Sequence, residues 1–168
     1  MPATGALLGL PPVIGRDCRI LVLGSFPSAA SLAAGHYYAH PRNQFWPIIS
    51  AVLGTDLTTI AFAQRYRAVR QARIGIWDVL GACRRTGSLD AAIRDPRAND
   101  FSALARRAPR LQRVLFNGGT AARQARELER LGYEVRVLPS TSPAHAARSL
   151  AQKLALWAPA LRLDDEPS

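Results

Sequence analysis

The chain has 168 residues, of which 48% are apolar and 20% are charged, values typical of one soluble globular domain rather than a disordered or membrane-embedded chain. Lys and Arg number 22 against 12 Asp and Glu, a formal net charge of +10, which favours a polyanionic partner such as nucleic acid. Cys18 and Cys83 have no metal-site spacing and predict reduced thiols in a cytoplasmic protein without metal or cofactor. The short apolar N-terminus, broken at Pro11, predicts neither a signal peptide nor a membrane span.

The elements of the first half follow from hydrophobic periodicity and from Gly and Pro positions. Residues 1–16 predict an irregular lead-in to a single domain over 17–160, which a polar tail over 161–168 follows. The continuous apolar run over 19–24 predicts a buried parallel strand. Beyond it, the pattern predicts helices over 29–34, 45–53 and 60–73 and a second strand over 74–80.

The second half begins with a polar segment over 81–100, rich in Arg, Asp and Gly, which predicts mostly loop. Asn99 or Asp100 is expected to cap a helix that runs to residue 108. The remaining pattern predicts a third strand over 113–117, a helix over 120–131, a fourth strand over 134–138, a loop over 139–143 and a closing helix over 144–157.

Four short apolar strands that alternate with helices predict a three-layer α/β/α domain on a mainly parallel four-stranded sheet. Ligands of such sheets bind beyond the carboxyl ends of the strands. Polar residues stand at these ends, with Ser25 after the first strand, Asp78 at the second and Ser140 after the fourth. Asn117, at the third, precedes Gly118 and is interpreted as a turn residue. The sequence therefore predicts a site on this rim.

A second concentration of polar and aromatic residues lies over 35–46, with two His, two Tyr, an Arg and an Asn. Pro41 predicts a loop up to that point, and Asn43 stands where the next helix could begin. Exposed tyrosine rings beside Arg42 indicate a site for a flat, anionic ligand, because aromatic faces stack on bases and Arg binds phosphate. The alternative is that Asn43 only caps the helix.

Three segments together resemble the uracil-DNA glycosylase superfamily, and most of all its hypoxanthine-DNA (deoxyinosine) glycosylase family. They are Gly-Ser-Phe-Pro-Ser over 24–28, Tyr-Tyr-Ala-His-Pro-Arg-Asn-Gln-Phe-Trp over 37–46 and Leu-Pro-Ser-Thr-Ser-Pro over 138–143. The resemblance runs from about residue 19 to residue 157, and the His-Pro-Arg-Asn-x-Phe-Trp block is its most specific part. It implies an α/β glycosylase that acts on a deaminated base.

The resemblance also implies roles for individual residues. By match, Asn43 is the catalytic residue that positions the water, and Tyr38 stacks on the flipped base. The first motif offers Ser25 and Phe26 where most of the superfamily has Asp or Asn. Leu138 stands where the superfamily commonly has His or Asn, and this departure argues against an efficient uracil enzyme.

Base release passes through an oxocarbenium-like sugar while the leaving base gains negative charge, so the protein must place a water and hydrogen-bond donors. His145 and His40 are candidate donors, and hydrogen-bonded structural histidines are the alternative. Asp78 could accept an N–H of the base, or could simply organise its loop. Backbone N–H groups of the turn at Gly24, Ser25 and Phe26 are expected to bind the base or a phosphate. Predicted DNA contacts are Arg42, Ser140, Thr141, Ser142 and Arg148.

These features predict a monomeric, monofunctional DNA glycosylase of base excision repair, which acts on damaged DNA and prefers hypoxanthine. Lyase activity is not expected, because Lys153, the only lysine, is predicted inside the closing helix and away from the rim. One rival keeps the site and changes the base to uracil or mismatched thymine. The other is a basic nucleic-acid-binding domain without catalysis, which the missing acid of the first motif would explain.

Overall fold

A computed structural model describes residues 5–163, and a parallel sheet forms its centre. The strands are β1 (Leu7–Leu8), β2 (Ile20–Gly24), β3 (Ile74–Asp78), β4 (Leu80–Arg84), β5 (Arg94–Ala98), β6 (Arg113–Asn117) and β7 (Glu134–Leu138). The α-helices are α1 (Ala29–Ala34), α2 (Phe45–Leu53), α3 (Phe62–Gln71), α4 (Leu104–Arg107), α5 (Ala125–Arg130) and α6 (Leu150–Ala160). Short 3-10 helices lie at Asp90–Ala92 and Ala121–Gln124.

The central sheet has the strand order β3-β2-β6-β7, and every neighbouring pair is parallel. From β2 the chain leads to β3 on one side, and from β6 it leads to β7 on the other. The crevice between the carboxyl ends of β2 and β6 is therefore the switch point at which ligands of open α/β sheets bind. The predicted parallel four-stranded sheet is confirmed.

Helices cover both faces of this sheet, because its strands are apolar on both sides. In β2, Ile20 and Val22 belong to a core that α2, α3 and α6 complete. Leu21 and Leu23 belong to a second core, to which α4 and α5 contribute. The predicted three-layer α/β/α arrangement follows from this alternation of side chains along buried strands.

The prediction of mostly loop over 81–100 missed two strands, because β4 and β5 form an antiparallel hairpin there. The lead-in is not irregular either: β1 extends the hairpin into a three-stranded sheet, and Val13 forms a bridge with Ile76. All five residues of β5 are exposed, and Pro96 lies among them. A polar edge strand that contains proline has no apolar alternation by which to recognise it.

The closing helix begins at Leu150 rather than at residue 144. Ser149 and Gln152 form a capping box there, with mutual side-chain to backbone hydrogen bonds that stabilise a helix start. The predicted helix to residue 108 shortens to α4, and Asp100 accepts a hydrogen bond from the Ser102 N–H without capping a helix. The predicted helix over 120–131 begins as a 3-10 helix.

The start of the predicted polar tail packs on the domain, because Leu161 is buried and contributes to the core. The Arg113 guanidinium donates to the carbonyls of Ala160 and Arg162, both at 2.8 Å. Residues 164–168 of that tail lie outside the described residues. None of the helices within 5–163 combines the length and apolarity needed to traverse a bilayer.

Candidate active site

A cavity of about 310 Å³ lies at the carboxyl ends of the central strands. Among the residues that line it are most of those predicted for the site: Gly24, Ser25, Phe26, Tyr38, Asn43, Asp78, Ser140, Thr141, Ser142 and His145. Arg42 and Arg148 are exposed and are not among the lining residues. The structure thus brings together the residues predicted for the base and the water, and leaves the two arginines outside the cavity.

The turn after β2 brings Gly24 very close to two functional side chains. A Cβ atom on Gly24 would lie 2.6 Å from Asp78 Oδ1 and 3.0 Å from the Tyr38 hydroxyl oxygen, so a larger residue here would force the Asp78 carboxyl to move. The carbonyls of Gly24 and Ser25 accept the N–H groups of Val79 and Leu80 at 2.8 and 3.0 Å. Glycine at this position therefore permits Asp78 and Tyr38 to converge.

Asp78 ends β3 with its carboxyl group buried beside the cavity. Oδ2 has no hydrogen-bond partner among the described residues. Burial, with a smaller effect from the nearby Asp90 carboxylate, raises the pKa of Asp78 to about 7 against the opposing charge of Arg85. A buried polar atom without a partner costs free energy unless a water or ligand satisfies it. An oxygen of Asp78 is therefore available at the cavity to a polar ligand edge.

Tyr38 stands in the cavity in a left-handed backbone conformation, with φ of 54°, which is strained for a residue with a side chain. Its ring stacks on the buried Phe45 ring with centroids 4.1 Å apart. Its hydroxyl accepts a hydrogen bond from Asn117 Nδ2 at 3.2 Å, and burial raises its pKa. These contacts hold the ring in one orientation at the site.

Asn117 was interpreted from the sequence as a turn residue, but its side chain also forms hydrogen bonds within the site. Its side-chain amide donates to both the Tyr38 hydroxyl and Thr141 Oγ1, and its Oδ1 accepts the Thr141 N–H at 2.9 Å. The residue thereby joins the end of β6 to the stacking tyrosine and to the loop over 139–143. Because Thr141 is buried and holds these bonds, we assign it to the framework rather than to the predicted DNA contact.

Asn43 lies in the cavity wall just before α2. Its Oδ1 accepts the Phe45 N–H at 2.9 Å, so the side chain supports the start of the helix, although the N-cap residue of α2 is Gln44 and not Asn43, contrary to the capping alternative. A carboxamide oxygen has two lone pairs, and the second can accept a hydrogen bond from water. The backbone N–H of Gln44 donates to the Thr141 carbonyl at 3.0 Å. Asn43 is thus held in place by α2 and by the last loop.

His145 lines the cavity with an exposed side chain, in the turn before α6. Its carbonyl accepts a hydrogen bond from Lys153 Nζ at 2.8 Å, and burial lowers the pKa of Lys153. Lys153 is buried and is not among the lining residues. The lysine therefore stabilises the loop through this bond and does not face the cavity.

Leu138, where the superfamily commonly has His or Asn, packs in the core. This position therefore supplies no polar side chain to the cavity.

The aromatic block over 35–46 contributes less to the site than predicted. Tyr37 lines the cavity, but it is buried and its hydroxyl donates to the Leu10 carbonyl at 3.0 Å. The His36 ring stacks on Phe62 with centroids 4.4 Å apart. His40 accepts the backbone N–H of Arg42 through Nδ1 and is not among the lining residues. These side chains fasten the loop to the domain, because flat rings bury much area wherever a partner lies within reach.

The hairpin of β4 and β5 supplies lining residues that the sequence interpretation missed, namely Ser88, Leu89 and Asp90. The Ser25 hydroxyl donates to Asp90 Oδ1 at 2.7 Å. A carboxylate therefore stands beside the first motif, although the motif itself contains none. The two residues are 65 positions apart in the chain, and no local pattern could have paired them.

Fold and site together define an α/β protein of the nucleobase-binding kind. A carboxamide, a held tyrosine ring and an unpartnered carboxyl group share one cavity at the switch point of a parallel sheet, which is where such folds bind nucleotides.

Comparison with known proteins agrees with this class. The sequence profile of the uracil DNA glycosylase superfamily matches residues 11–161, and the chain belongs to this superfamily. The chain is 40% identical over 154 residues to the hypoxanthine DNA glycosylase of Methanosarcina barkeri (strain Fusaro), and the aligned region covers 92% of this chain and 97% of the relative. It is 39% identical over 137 residues to the hypoxanthine DNA glycosylase of Methanosarcina acetivorans, covering 82% and 87%.

A solution NMR structure from Methanosarcina acetivorans, provisionally named a uracil DNA glycosylase, superposes on this fold with a TM-score of 0.84. The two chains are 35% identical, and the superposition covers 94% of this chain and 97% of that one. The resemblance on which the sequence interpretation depends is therefore confirmed, and so is its fold.

Proposed function

We propose that this protein is a monofunctional DNA glycosylase that releases hypoxanthine from DNA during base excision repair. The observation that carries the proposal is the convergence of Asn43, Tyr38 and Asp78 in one cavity. Each meets a different requirement of the reaction: Asn43 positions the water, Tyr38 stacks on the base, and Asp78 binds the base edge. The two relatives named hypoxanthine DNA glycosylase support the choice of base.

The reaction replaces the C1′–N bond of the nucleotide with a C1′–O bond. In this proposal Asn43 Oδ1 accepts a hydrogen from the water and aligns its oxygen with C1′. The electron pair of the breaking bond leaves with the base, and the proton lost by the water balances the charge that the base acquires. Because the sugar is already oxocarbenium-like, the nucleophile need not be strong, and a neutral carboxamide is sufficient.

Asp78 can distinguish a deaminated base from adenine. Hypoxanthine presents an N1–H donor beside the O6 acceptor, whereas adenine presents an N1 acceptor beside an amino group. The ionised Asp78 carboxylate accepts N1–H of hypoxanthine and repels the lone pair on N1 of adenine, so this form makes the distinction. The protonated form accepts N1–H and donates to O6 of hypoxanthine, but it could equally donate to N1 of adenine and accept from its amino group. Since the pKa of Asp78 is about 7, both forms exist near neutral pH. Uracil presents a similar edge through N3–H and O4, so the uracil alternative depends on the same carboxyl.

We further infer that the enzyme has no lyase activity, because a lyase needs an amine at the sugar and Lys153 Nζ is bound to the His145 carbonyl beneath the loop.

Both Cys18 and Cys83 are free thiols, which supports a reducing compartment such as the cytoplasm. The proposed partner is damaged DNA, bound by a monomer without metal or cofactor.

Matched oligonucleotides that carry a single inosine, uracil or xanthine test the proposal. Incubation followed by alkaline cleavage should cut the inosine strand, and omission of alkali should leave it intact. Preferential cutting of the uracil strand would favour the uracil alternative. Binding of every oligonucleotide without cutting of any would favour the basic, non-catalytic nucleic-acid-binding domain.

Replacement of Tyr38 tests the stacking role. We expect Tyr38→Ala to weaken the productive complex with inosine DNA by roughly 1 to 3 kcal/mol, the usual contribution of a base-stacking ring. Tyr38→Phe should be tolerated, because it keeps the ring and its contact with Phe45. Titration of an inosine duplex in single-turnover assays measures both variants. Equal damage from Phe and Ala would assign the role to the hydroxyl and its bond from Asn117.

The positive charge should divide between a DNA-facing rim and an opposite surface. We expect Arg42→Gln and Arg148→Gln to weaken binding to all sequences and to lower the salt slope by about one unit for each phosphate that is no longer neutralised. Arg67→Gln, on the exposed side of α3, is the matched control and should change little. Affinities at several salt concentrations, for one inosine duplex and one undamaged duplex, measure the slopes.

Arg65, also on α3, is unsuitable as a control, because it is half-buried whereas Arg67 is exposed. Its guanidinium lies 4.1 Å from the Phe62 ring centroid and donates to the carbonyls of Thr58 and Ile60. Its replacement would disturb the packing of α3. A salt slope reduced by Arg67→Gln as much as by Arg42→Gln would place DNA on another face and contradict the rim.

A further inference from the structure

A second cavity, of about 380 Å³, lies between the β4–β5 hairpin and the 3-10 helix Ala121–Gln124. It shares three lining residues with the active-site cavity, namely Ser25, Asp90 and Thr120. We infer that this second cavity binds the free purine base after cleavage and lets it leave while the enzyme still holds the abasic DNA. The inference rests on the proposed glycosylase function, because it concerns the product of that reaction.

The active-site cavity offers a released base no exit on the side of the sheet. Asp78 and Asn117, at the ends of β3 and β6, line the cavity and are buried, and so is Thr141. The extruded nucleotide enters through the mouth, and the DNA that carries it covers the mouth for as long as it stays bound. The base therefore leaves after the abasic DNA, or it leaves sideways through the wall of the cavity.

The wall that the two cavities share is made of small polar side chains. Ser25 and Thr120 are half-buried, and Asp90 is exposed. The Ser25 hydroxyl donates to Asp90 Oδ1 at 2.7 Å at this boundary. Rotation of either side chain breaks this hydrogen bond without movement of β2, and such rotations are fast for side chains outside the core. Passage of a base between the cavities therefore requires no rearrangement of the sheet.

The lining of the second cavity suits a free purine. Leu80, Ile93 and Pro96 supply apolar surface, against which a flat ring can pack. Arg94 and Arg123 also line the cavity, and both are exposed. Guanidinium groups donate hydrogen bonds and carry positive charge. They therefore favour hypoxanthine, which has acceptors at O6, N3 and N7 and gains negative charge as it leaves the sugar.

The second cavity also reaches the surface of the protein. Arg94, Pro96 and Ala98 of β5 line it, and all five residues of this strand are exposed. A base that enters from the active-site cavity thus meets solvent on the hairpin side, away from the mouth that the DNA covers. The two cavities together form a route with one opening for the nucleotide and another for the free base.

An inosine duplex with a tritiated base and a separately labelled strand distinguishes the two release steps. In single turnovers with excess enzyme, a denaturing quench measures all cleaved base, and filtration of the native complex measures the base and the strand that remain bound. Excess unlabelled abasic duplex traps enzyme that has dissociated. We expect the wild type to lose the base about tenfold or more faster than the strand, because side-chain rotation at the boundary is fast.

Ala98→Trp should block this route, because Ala98 lines only the second of the two cavities and an exposed strand position accepts an aromatic residue. The quenched cleavage rate should stay at the wild-type value, while release of the base slows to the rate at which the strand leaves. Ala91→Trp, from the other end of the same cavity, should act alike. Ala105→Trp is the matched control, since Ala105 is exposed on α4 and lines neither cavity.

Base and strand that leave the wild type at one rate would overturn the second exit and leave the glycosylase proposal standing. Wild-type base release in both cavity variants would overturn it as well. Weaker duplex binding in these variants, with base release unchanged, would assign the second cavity to DNA and also contradict the inference. A wild type that cleaves no labelled base would overturn the glycosylase proposal, and the second exit with it.

Discussion

Asn43→Ala is expected to lower the single-turnover rate of hypoxanthine release by about a hundredfold or more, the usual effect of removing one positioned group from a transition state. The physical reason is that the variant loses the oxygen that aligns the water with C1′. Binding of inosine DNA should remain near normal, because Asn43 is expected to act on the water rather than on the phosphates. Rates and affinities measured on the same inosine duplex separate the two effects.

The structure makes a control necessary, because Asn43 Oδ1 also accepts the Phe45 N–H. Loss of that bond should cost about 1 kcal/mol of stability, which urea unfolding can measure. Asn43→Asp keeps an oxygen at the same place and should keep both the helix start and a large part of the rate. Near-normal turnover of the alanine variant would leave Asn43 with its hydrogen bond from the Phe45 N–H as its only role.

Asp78→Asn should remove a strong pH dependence from the stability of the fold. Burial raises the pKa of Asp78 from 3.8 to about 7, so the folded protein holds this proton more tightly than the unfolded chain. The stabilisation is fully present below pH 4 and is lost as the pH rises through 7. At roughly 1.4 kcal/mol per pKa unit, the loss is on the order of 4 kcal/mol.

Urea unfolding of the wild type and of Asp78→Asn at a series of pH values between 4 and 8 measures this effect. The difference between the two free energies of unfolding should fall with pH up to about 7 and then level off, since both folded and unfolded Asp78 are then ionised. Subtraction cancels the other titrating groups. Curves that stay parallel throughout would mean that Asp78 is not buried as a proton-holding group and would weaken its proposed role at the base edge.

The sheet was predictable because its strands satisfy a local rule. Ile20–Gly24 and Arg113–Asn117 are short and largely apolar, as expected of strands buried on both faces. A Gly residue marks the end of each run. Parallel pairing then places their carboxyl ends on one rim, and the place of Asp78 in the sequence was enough to predict that it lies on that rim, where it lines the cavity. The catalytic assignment of Asn43 came from the family motif, which spacing and periodicity alone would not have supplied.

The β4–β5 hairpin was not predictable in this way. Arg94–Ala98 is exposed and charged and contains proline, so it forms a strand only because β4 is there to pair with it. Asp90 and Leu89 reach the site through that pairing. The hydrogen bond between Ser25 and Asp90 joins residues 65 positions apart, and no pattern in the sequence near either residue predicts that the two meet.

The sequence by itself determined the sheet, the location of its ligand rim and the family, because buried strands and a contiguous motif are local features of the chain. Only the tertiary structure decided which polar groups at that rim already have hydrogen-bond partners within the protein and which do not. Asn117 is committed to Tyr38 and Thr141, whereas the Asp78 carboxyl keeps an oxygen without a partner among the described residues. Hydrogen-bond partners and burial depend on residues distant in the chain, and for that reason only the assembled fold could reveal them.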